Sequence, residues 1–540
     1  MTSANIARRT KVSAESFAVD SRVASPSNHV VADQREVIAF LADPSSHGLH
    51  TPVRRIDTHG AVVFLAGEFA YKLKRAVRFP FMDFSTLEKR RRACEAEIEI
   101  NRPGAPTIYL DALPITRSWG QLCLGGPGPA IDWVVQMRRF DESQTLDHVA
   151  QAGGLAPSLL RDLTQAILAS HHRAAPADGD AATAALATYI DQNEVAFGEA
   201  PLLFEPDRVT LAIDRSRTAL ASCRDRLLQR GQQGLVRRCH GDLHLRNLVL
   251  LGGAPILFDA IEFDEGIATC DLLYDLAFLL MDLWQRGLRR EANMVLNRYL
   301  WDSGDPRHLS GLAALPLFLS IRAALRAKIA AAALPFANLD RRRETIDEAR
   351  RYFEFTLSFL DPGPPRLVAI GGLSGSGKST LAAALAPSIG GAPGAVHLRS
   401  DIERKRMFGV ADSERLPAAA YAPGIGEEVY ARLQRKARLA LEAGASVIVD
   451  AVHASPKERS AIASIARDLD LPFRGIWLDA PSPVLIERVT ARTDDASDAD
   501  AAVVALQLGH DLGEVDWGRI DAGQPPAVVL EQALVASVAS

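Results

Sequence analysis

Gly372-Leu373-Ser374-Gly375-Ser376-Gly377-Lys378-Ser379 sets how the last third of this chain folds. The octet has the spacing GxxxxGK[ST] and follows directly on the apolar run Leu367 to Ile370. In that strand, loop and helix setting, glycines let backbone N–H groups wrap a phosphate. Lys378 then meets the β and γ oxygens, and the Ser379 hydroxyl ligates Mg²⁺ at a helix N-terminus. Thr380 completes the expected nucleotide contacts. An ordinary glycine-rich turn is the competing reading, and the preceding strand counts against it.

On either side of the octet the pattern continues. Val396 to Arg399 reads as a further strand, and Val447 to Val449 and Gly475 to Leu478 as further apolar runs; these alternate with helical segments, the pattern of βαβ units and a parallel sheet. Asp450 ends the second of them, where an acid can orient a Mg²⁺ shell; a helix cap is the alternative. Ser400-Asp401-Ile402-Glu403-Arg404 follows the strand at 396–399. Asp401 is placed to deprotonate an acceptor hydroxyl, with Arg404 one helical turn beyond, although a cap at Ser400 or Asp401 explains the spacing equally well. Upstream, Asp361-Pro362-Gly363-Pro364-Pro365 cannot continue a helix and marks a linker. The P-loop domain therefore spans 366–540.

These residues resemble the P-loop small-molecule and polynucleotide kinases, including gluconate-kinase-like and zeta-toxin-like proteins. The resemblance implies that Asp401 is the general base, that Arg404 holds substrate, and that Arg488 and Arg492 lie on a lid helix over the phosphates. Their i, i+4 spacing places both guanidiniums on one face, which a solvated helix face would also explain.

A second motif lies upstream. His240-Gly241-Asp242-Leu243-His244-Leu245-Arg246-Asn247 has Asp and Asn five residues apart and precedes Ile256-Leu257-Phe258-Asp259. Phosphoryl transfer to a hydroxyl needs a carboxylate at the acceptor and oxygen ligands for Mg²⁺. Asp242 is then the base, with Asn247 and Asp259 on the metal; turn formation is the competing role of such residues. The segment has His-Gly-Asp for His-Arg-Asp and Asp259-Ala260-Ile261 for Asp-Phe-Gly, and it resembles the aminoglycoside phosphotransferase superfamily, whose members phosphorylate small molecules. The resemblance implies a phosphate-binding lysine on the strand Phe69 to Lys74, paired with a helix glutamate. Lys72 and Glu97 are the chosen pair, but Lys74 shares the strand face, and Glu95 and Glu99 lie near. Asp271 and Asp275 are read as structural groups at the start of a buried helix, and His240 and His244 as shaping their loop.

The first 30 residues read as a loose tail, 31–360 as the kinase-like domain (a small sheet lobe to about 105, then a helical lobe). The fold expected is multidomain: an α+β, protein-kinase-like two-lobed region, then an α/β P-loop NTPase with a parallel sheet. End to end, the order resembles the fused bacterial aminoglycoside phosphotransferase/ATP-binding proteins.

Composition narrows the partners. A chain of 540 residues exceeds one core, and 48% hydrophobic content lets each domain fold. A net charge of −5 gives no field for gripping long nucleic acid. Five scattered cysteines with no CxxC fit a reducing compartment, and no secretory signal or membrane anchor is evident, so a cytoplasmic site without membrane partner is expected. The leading expectation is a bifunctional, ATP- and Mg²⁺-dependent kinase acting on small-molecule hydroxyls. The alternatives are one catalytic domain regulated by a nucleotide-sensing second, and a toxin-like kinase acting on a nucleotide-sugar or nucleic-acid end. Acceptor identity and oligomeric state are left open.

Overall fold

The computed structural model describes residues 30–540 except 59, 80–81, 337–338, 492–495 and 539–540. The expected N-terminal tail and His59 therefore fall outside the described residues. Two compact units result: residues up to 142 together with 258–267, and 143–257 together with 268–540.

The first unit is built on β1 (Arg54–Asp57), β2 (Ala61–Ala66), β3 (Phe69–Lys74), helix α1 (Leu87–Asn101), β4 (Tyr109–Ser118), β5 (Gln121–Leu124) and β6 (Ala130–Arg138). The strands form one antiparallel sheet in the order β1-β2-β3-β6-β4-β5. Val62, Phe64, Leu73, Ile115 and Val134 are completely buried in its core. A mostly helical reading beyond Pro103 does not anticipate β4 to β6. Pro114 inside β4 and a shifted register near Thr116 blur the period-2 signal there. Helix α1 starts on a Thr86 cap and ends just before Pro103. Its buried side carries charge, with Arg90 and Glu97 among Cys94 and Ile98, so hydrophobic periodicity alone understates how much of it is inside.

The second unit begins with helix α2 (Leu146–Gln151) and is largely helical as far as Phe359, including α3 (Leu272–Gln285), α4 (Arg289–Ser303), α5 (Leu315–Ala333) and α6 (Leu339–Phe359). The stretch Pro306–Ala333 is long and apolar enough to cross a membrane by composition, but 78% of its apolar window is buried within the fold. It also carries the buried Arg322.

After the linker come β7 (Leu367–Gly371), α7 (Lys378–Leu385), β8 (Val396–Arg399), α8 (Ser400–Met407), β9 (Val447–Asp450), β10 (Phe473–Asp479), α9 (Ser482–Thr490), α10 (Ala501–Leu508) and β11 (Gly518–Asp521). The five strands are parallel, in the order β8-β9-β7-β10-β11. Leu367 to Ile370 have no exposed surface, as befits a central strand covered on both faces. Its carboxyl end lies beside the place where the strand order reverses, which is where open α/β sheets bind ligands.

Edge strand β8 would leave backbone groups unpaired on its outer side. Helix α4 satisfies them: Asn293 and Asn297 donate to Ala395 O at 3.0 and 3.1 Å, Asn297 Oδ1 accepts from His397 N at 2.7 Å, and Trp301 Nε1 donates to His397 O at 2.7 Å. Three side chains at i, i+4 and i+8 thus replace a neighbouring strand. One apolar core continues from the helices into this sheet, joining Leu296 and Phe318 with Leu367 and Val396.

Candidate active sites

In the first unit, β3 and α1 bring Lys72 and Glu97 together. Lys72 Nζ lies 2.8 Å from Glu97 Oε1 and 2.6 Å from Asp259 Oδ1. Lys74 sits on the same strand face, bonded to the other Glu97 oxygen and to Glu262. Exposure separates the two lysines: the Lys72 side chain is 15% exposed and that of Lys74 2%. Lys72 is thus the one that a ligand can reach. Glu95 instead pairs with Arg91 at the surface.

Burial alone would lower the Lys72 ammonium, but the carboxylates of Asp259, Glu97 and Glu262 outweigh it and hold the group well above its ordinary value. Burial pushes the Glu262 carboxyl up despite Lys74 beside it. Two ammoniums among three carboxylates leave a local excess of negative charge suited to a divalent cation. Asp259 adopts φ +62°, a left-handed conformation that costs about 1–2 kcal/mol for a residue other than glycine. Its own backbone N–H is tied to Tyr109 Oη, and Ala260 N to Asn101 Oδ1, so the surrounding contacts impose the strain.

In the second unit, the loop carrying Asp242 is held from behind. Gly241 N donates to Asp275 Oδ1 at 2.8 Å, Leu245 N donates to Asp282 Oδ2 at 3.0 Å, and Arg322 Nη1 donates to Gly241 O at 3.0 Å. Asp271 caps α3 through Leu273 N and pairs with buried Arg230. Asp271 and Asp275 are therefore structural here, as expected. Asn247 Nδ2 donates to Asp242 O and Oδ2 at 3.0 and 2.8 Å, which leaves its amide oxygen as the atom able to face a cation. Burial raises the Asp242 carboxyl, but His244, His240 and Arg322 outweigh it and keep it below the usual carboxylate range. It stays ionised at neutral pH, ready to accept a hydrogen bond from a hydroxyl.

The P-loop shows a second constellation. Gly372 has φ +139°, and a Cβ there would stand 2.6 Å from Leu478 O; Gly375 has φ +83°, with Leu485 O at 2.5 Å. Only glycine fits either position. Gly377, the residue preceding α7, faces open space: a Cβ there would have nothing but its chain neighbours within 4 Å among the described residues. The Ser376 hydroxyl is buried without a hydrogen-bond partner among the described residues. An open cradle with an orphaned hydroxyl fits a phosphate of ATP. Lys378 Nζ rests on Leu373 O at 3.0 Å, and Ser374 N donates to Gln507 Oε1 of α10 at 2.8 Å. Ser379 and Thr380 form the first turn of α7.

Asp450 is in register with Ile370 on one side and Arg399 on the other. His397 Nε2 lies 3.4 Å and Arg399 Nε 3.7 Å from Asp450 Oδ2. Burial pushes the Asp450 carboxyl up, but His397, Arg399 and Lys378 prevail and hold it at about 2. Burial also lowers His397 below its ordinary value, so at neutral pH this ring acts as an uncharged N–H donor while Arg399 and Lys378 supply the charge. Asp401, in the first turn of α8, moves the other way: burial raises its carboxyl, reinforced by Asp450 and opposed by Arg399, Lys378 and Ser497. Two nearby carboxyls with opposed shifts suit a proton acceptor and a metal ligand respectively.

Arg404 donates to Ala420 O at 2.9 Å and stacks 5.0 Å from the Tyr421 ring. Arg488 lies on α9, whose Leu485 packs on the P-loop, and donates to Ala522 O at 2.9 Å. Arg492 lies outside the described residues. Sequence reading passes over Glu262, His397 and Gln507; the only local hint is that Glu262 follows Asp259 by three residues.

Residues 367–510 match the model of an AAA domain family, and residues 122–312 that of the phosphotransferase enzyme family. Uncharacterized proteins of Mycobacterium tuberculosis and Mycobacterium bovis are each 30% identical over 485 residues, spanning 87% of this chain and 92% of theirs. The chain belongs to the fused aminoglycoside phosphotransferase/ATP-binding protein family. Its two domains are kinase-type, an APH-like domain followed by a P-loop kinase domain. Among solved structures, a choline/ethanolamine kinase family protein from Mesorhizobium loti is 17% identical, with 61% of this chain and 99% of that chain covered at a TM-score of 0.36. A sugar kinase from Janibacter is 22% identical, covering 32% of this chain and 94% of that chain, with a TM-score of 0.24. In this family the chemistry is phosphotransfer.

Proposed function

We propose that this fused phosphotransferase is bifunctional, each domain moving the γ-phosphoryl of ATP to a hydroxyl of a small molecule. The observation that carries the reading is that both domains hold a complete set of groups for this chemistry. In the first, one unit carries Lys72 oriented by Glu97 with Asp259 beside it, and the other carries Asp242 as proton acceptor with Asn247 bonded to it, Asp259 and Asn247 being the groups assigned to a cation. The second has the P-loop with Lys378, Ser379 and Asp450 for a cation, and Asp401 as proton acceptor. When bound, Mg²⁺ neutralises charge on the transferring phosphates. In each reaction the acceptor oxygen bonds to the γ-phosphorus, the bond from that phosphorus to the β-γ bridging oxygen breaks, ADP leaves with those electrons, and the hydroxyl proton passes to the aspartate.

The test is ATP consumption by the full-length protein against aminoglycosides, sugars, sugar acids, sugar phosphates and nucleosides, with Asp242→Ala and Lys378→Ala in parallel. Acceptor-dependent turnover lost in one variant and kept in the other supports the reading for that domain. Two-site ATP binding with turnover lost only in one variant for every acceptor supports instead a catalytic domain governed by a nucleotide-sensing partner. The α4 clamp on β8 is the observation that favours keeping this second reading, because β8 leads into Asp401.

A further inference from the structure

The second unit contains a pocket of about 400 Å³ beside the loop that carries Asp242. Arg246 of that loop lines it, along with Arg286, Arg326, Arg351, Tyr352 and a single acid, Glu348. Arg286 grips Asp282 at 2.9 Å, and Asp282 in turn accepts Leu245 N, so the pocket wall and the Asp242 loop share one hydrogen-bond network. Among the other arginines, Arg326 is held by Tyr352, while Arg246 and Arg351 have weaker partners. Arg246 stands 3.6 Å from Asp147, and Arg326 stands 3.6 Å from Glu348, distances at which charge attracts but no hydrogen bond forms. Arg351 has no carboxylate within salt-bridge distance among the described residues; its guanidinium lies 6.0 Å from the Tyr352 ring. The Arg326 side chain is only 18% exposed, and its guanidinium stacks 5.5 Å from the same ring, which fixes its direction. Counting Asp147 and Asp282 with Glu348 against the four guanidiniums still leaves one positive charge over, with several N–H donors uncommitted.

We propose that this pocket binds an oxyanion, a phosphate or carboxylate group carried by the hydroxyl acceptor of the first domain. The proposal rests on the reading of that domain as a phosphotransferase and names its substrate class: an anionic alcohol such as a sugar phosphate or sugar acid. Planar guanidinium forks match both oxyanions and are shaped to hold them in pairs of hydrogen bonds. A polycationic aminoglycoside would meet like charge at this wall and is the disfavoured acceptor. Arg246 lies four residues from Asp242 in one short loop, and the next residue, Asn247, is bonded to Asp242, so the pocket's rim and the proton acceptor belong to the same loop.

The experiment has a binding arm and a turnover arm, both on the full-length protein. Inorganic phosphate and acetate are titrated at constant ionic strength into wild type and Arg351→Gln, with heat of binding as readout; Arg351 is exposed and lacks a carboxylate partner among the described residues, so its loss leaves the fold intact. The affinity of a phosphate or acetate site should fall about tenfold or more on losing one charged donor; which anion responds identifies the group. An unchanged titration with both overturns the proposal. In the turnover arm, the Lys378→Ala background isolates the first domain, and glycerol, glycerol 3-phosphate, gluconate and kanamycin serve as acceptors. The expected result is Asp242-dependent turnover with an anionic acceptor, with KM raised about tenfold by Arg351→Gln and kcat nearly unchanged. Kanamycin or glycerol as the preferred acceptor, or an anionic acceptor indifferent to Arg351, overturns the substrate class while leaving the phosphotransferase reading in place. Arginine-dependent anion binding with no Asp242-dependent turnover on any acceptor overturns that reading, and with it the acceptor role of the pocket.

Discussion

Replacing Asn297 with alanine tests whether α4 truly substitutes for a missing strand beside β8. The side chain is 3% exposed; it accepts from His397 N at 2.7 Å and shares Ala395 O with Asn293. Ala395 O keeps its bond to Asn293 in the variant, so the principal loss is a buried N–H left without a partner. An orphaned buried donor costs about 1–3 kcal/mol, and the weakened carbonyl contact adds roughly 0.5–1.5 kcal/mol. The expected loss is therefore about 1.5–4.5 kcal/mol, read from urea unfolding of the full chain by tryptophan fluorescence. Because His397 also bonds Asp450, and β8 runs into Asp401, ATP turnover at the P-loop site should fall in the same variant before any unfolding. Trp301→Phe keeps an aromatic side chain but loses the indole N–H bond to His397 O, and that bond should contribute about 1 kcal/mol. A loss below roughly 0.5 kcal/mol for Asn297→Ala, within the range of ordinary surface changes, is incompatible with the clamp. The edge strand would then be satisfied by solvent, and α4 would be a neighbour without a structural hold on the second site.

Lys72 and Lys74 should separate by phenotype. Lys72→Met is expected to lower first-domain turnover about 10²–10³-fold with little change in stability, whereas Lys74→Met strands Glu262 and should cost about 3–5 kcal/mol in unfolding experiments. Gly375→Ala places a Cβ 2.5 Å from Leu485 O in a left-handed backbone; calorimetry should show one ATP site lost and the other retained. His308 is buried, and burial together with Arg230 lowers its pKa to about 4. Its folded value lies below the unfolded one, so its contribution is present above about pH 6.5 and disappears as pH falls toward 4. At pH 5 that amounts to about 2 kcal/mol relative to pH 7, and His308→Gln should flatten the urea-stability profile across this window by that amount. Asp401 should set an acid limb of P-loop-site turnover above the ordinary carboxylate value, because its carboxyl is raised; a limb at or below that value in a pH–rate profile would contradict its role as proton acceptor.

The two motif loops and the class of each domain are legible in the residue order without any coordinates. Gly372 to Ser379 and His240 to Asn247 are contiguous, and their chemistry depends on backbone conformations that those residue types impose locally. The central stretches 367–370, 447–449 and 475–478 are likewise readable as apolar runs, since strands covered on both faces are largely apolar. The Lys72 and Lys74 ambiguity cannot be resolved that way: both lie on one face of β3, and their different exposure and their distant partners, Asp259 for Lys72 and Glu262 for Lys74, distinguish them. The same holds for the side chains of Asn293, Asn297 and Trp301, which meet β8 about a hundred residues away, and for the arginine pocket, assembled from α2, loop 240–247, the end of α3 and the residues after it, α5 and α6. Edges and pockets of this kind are made by segments distant in the chain, and no local pattern encodes which of them will meet. Which charges became a site and which became surface was settled by packing between those segments.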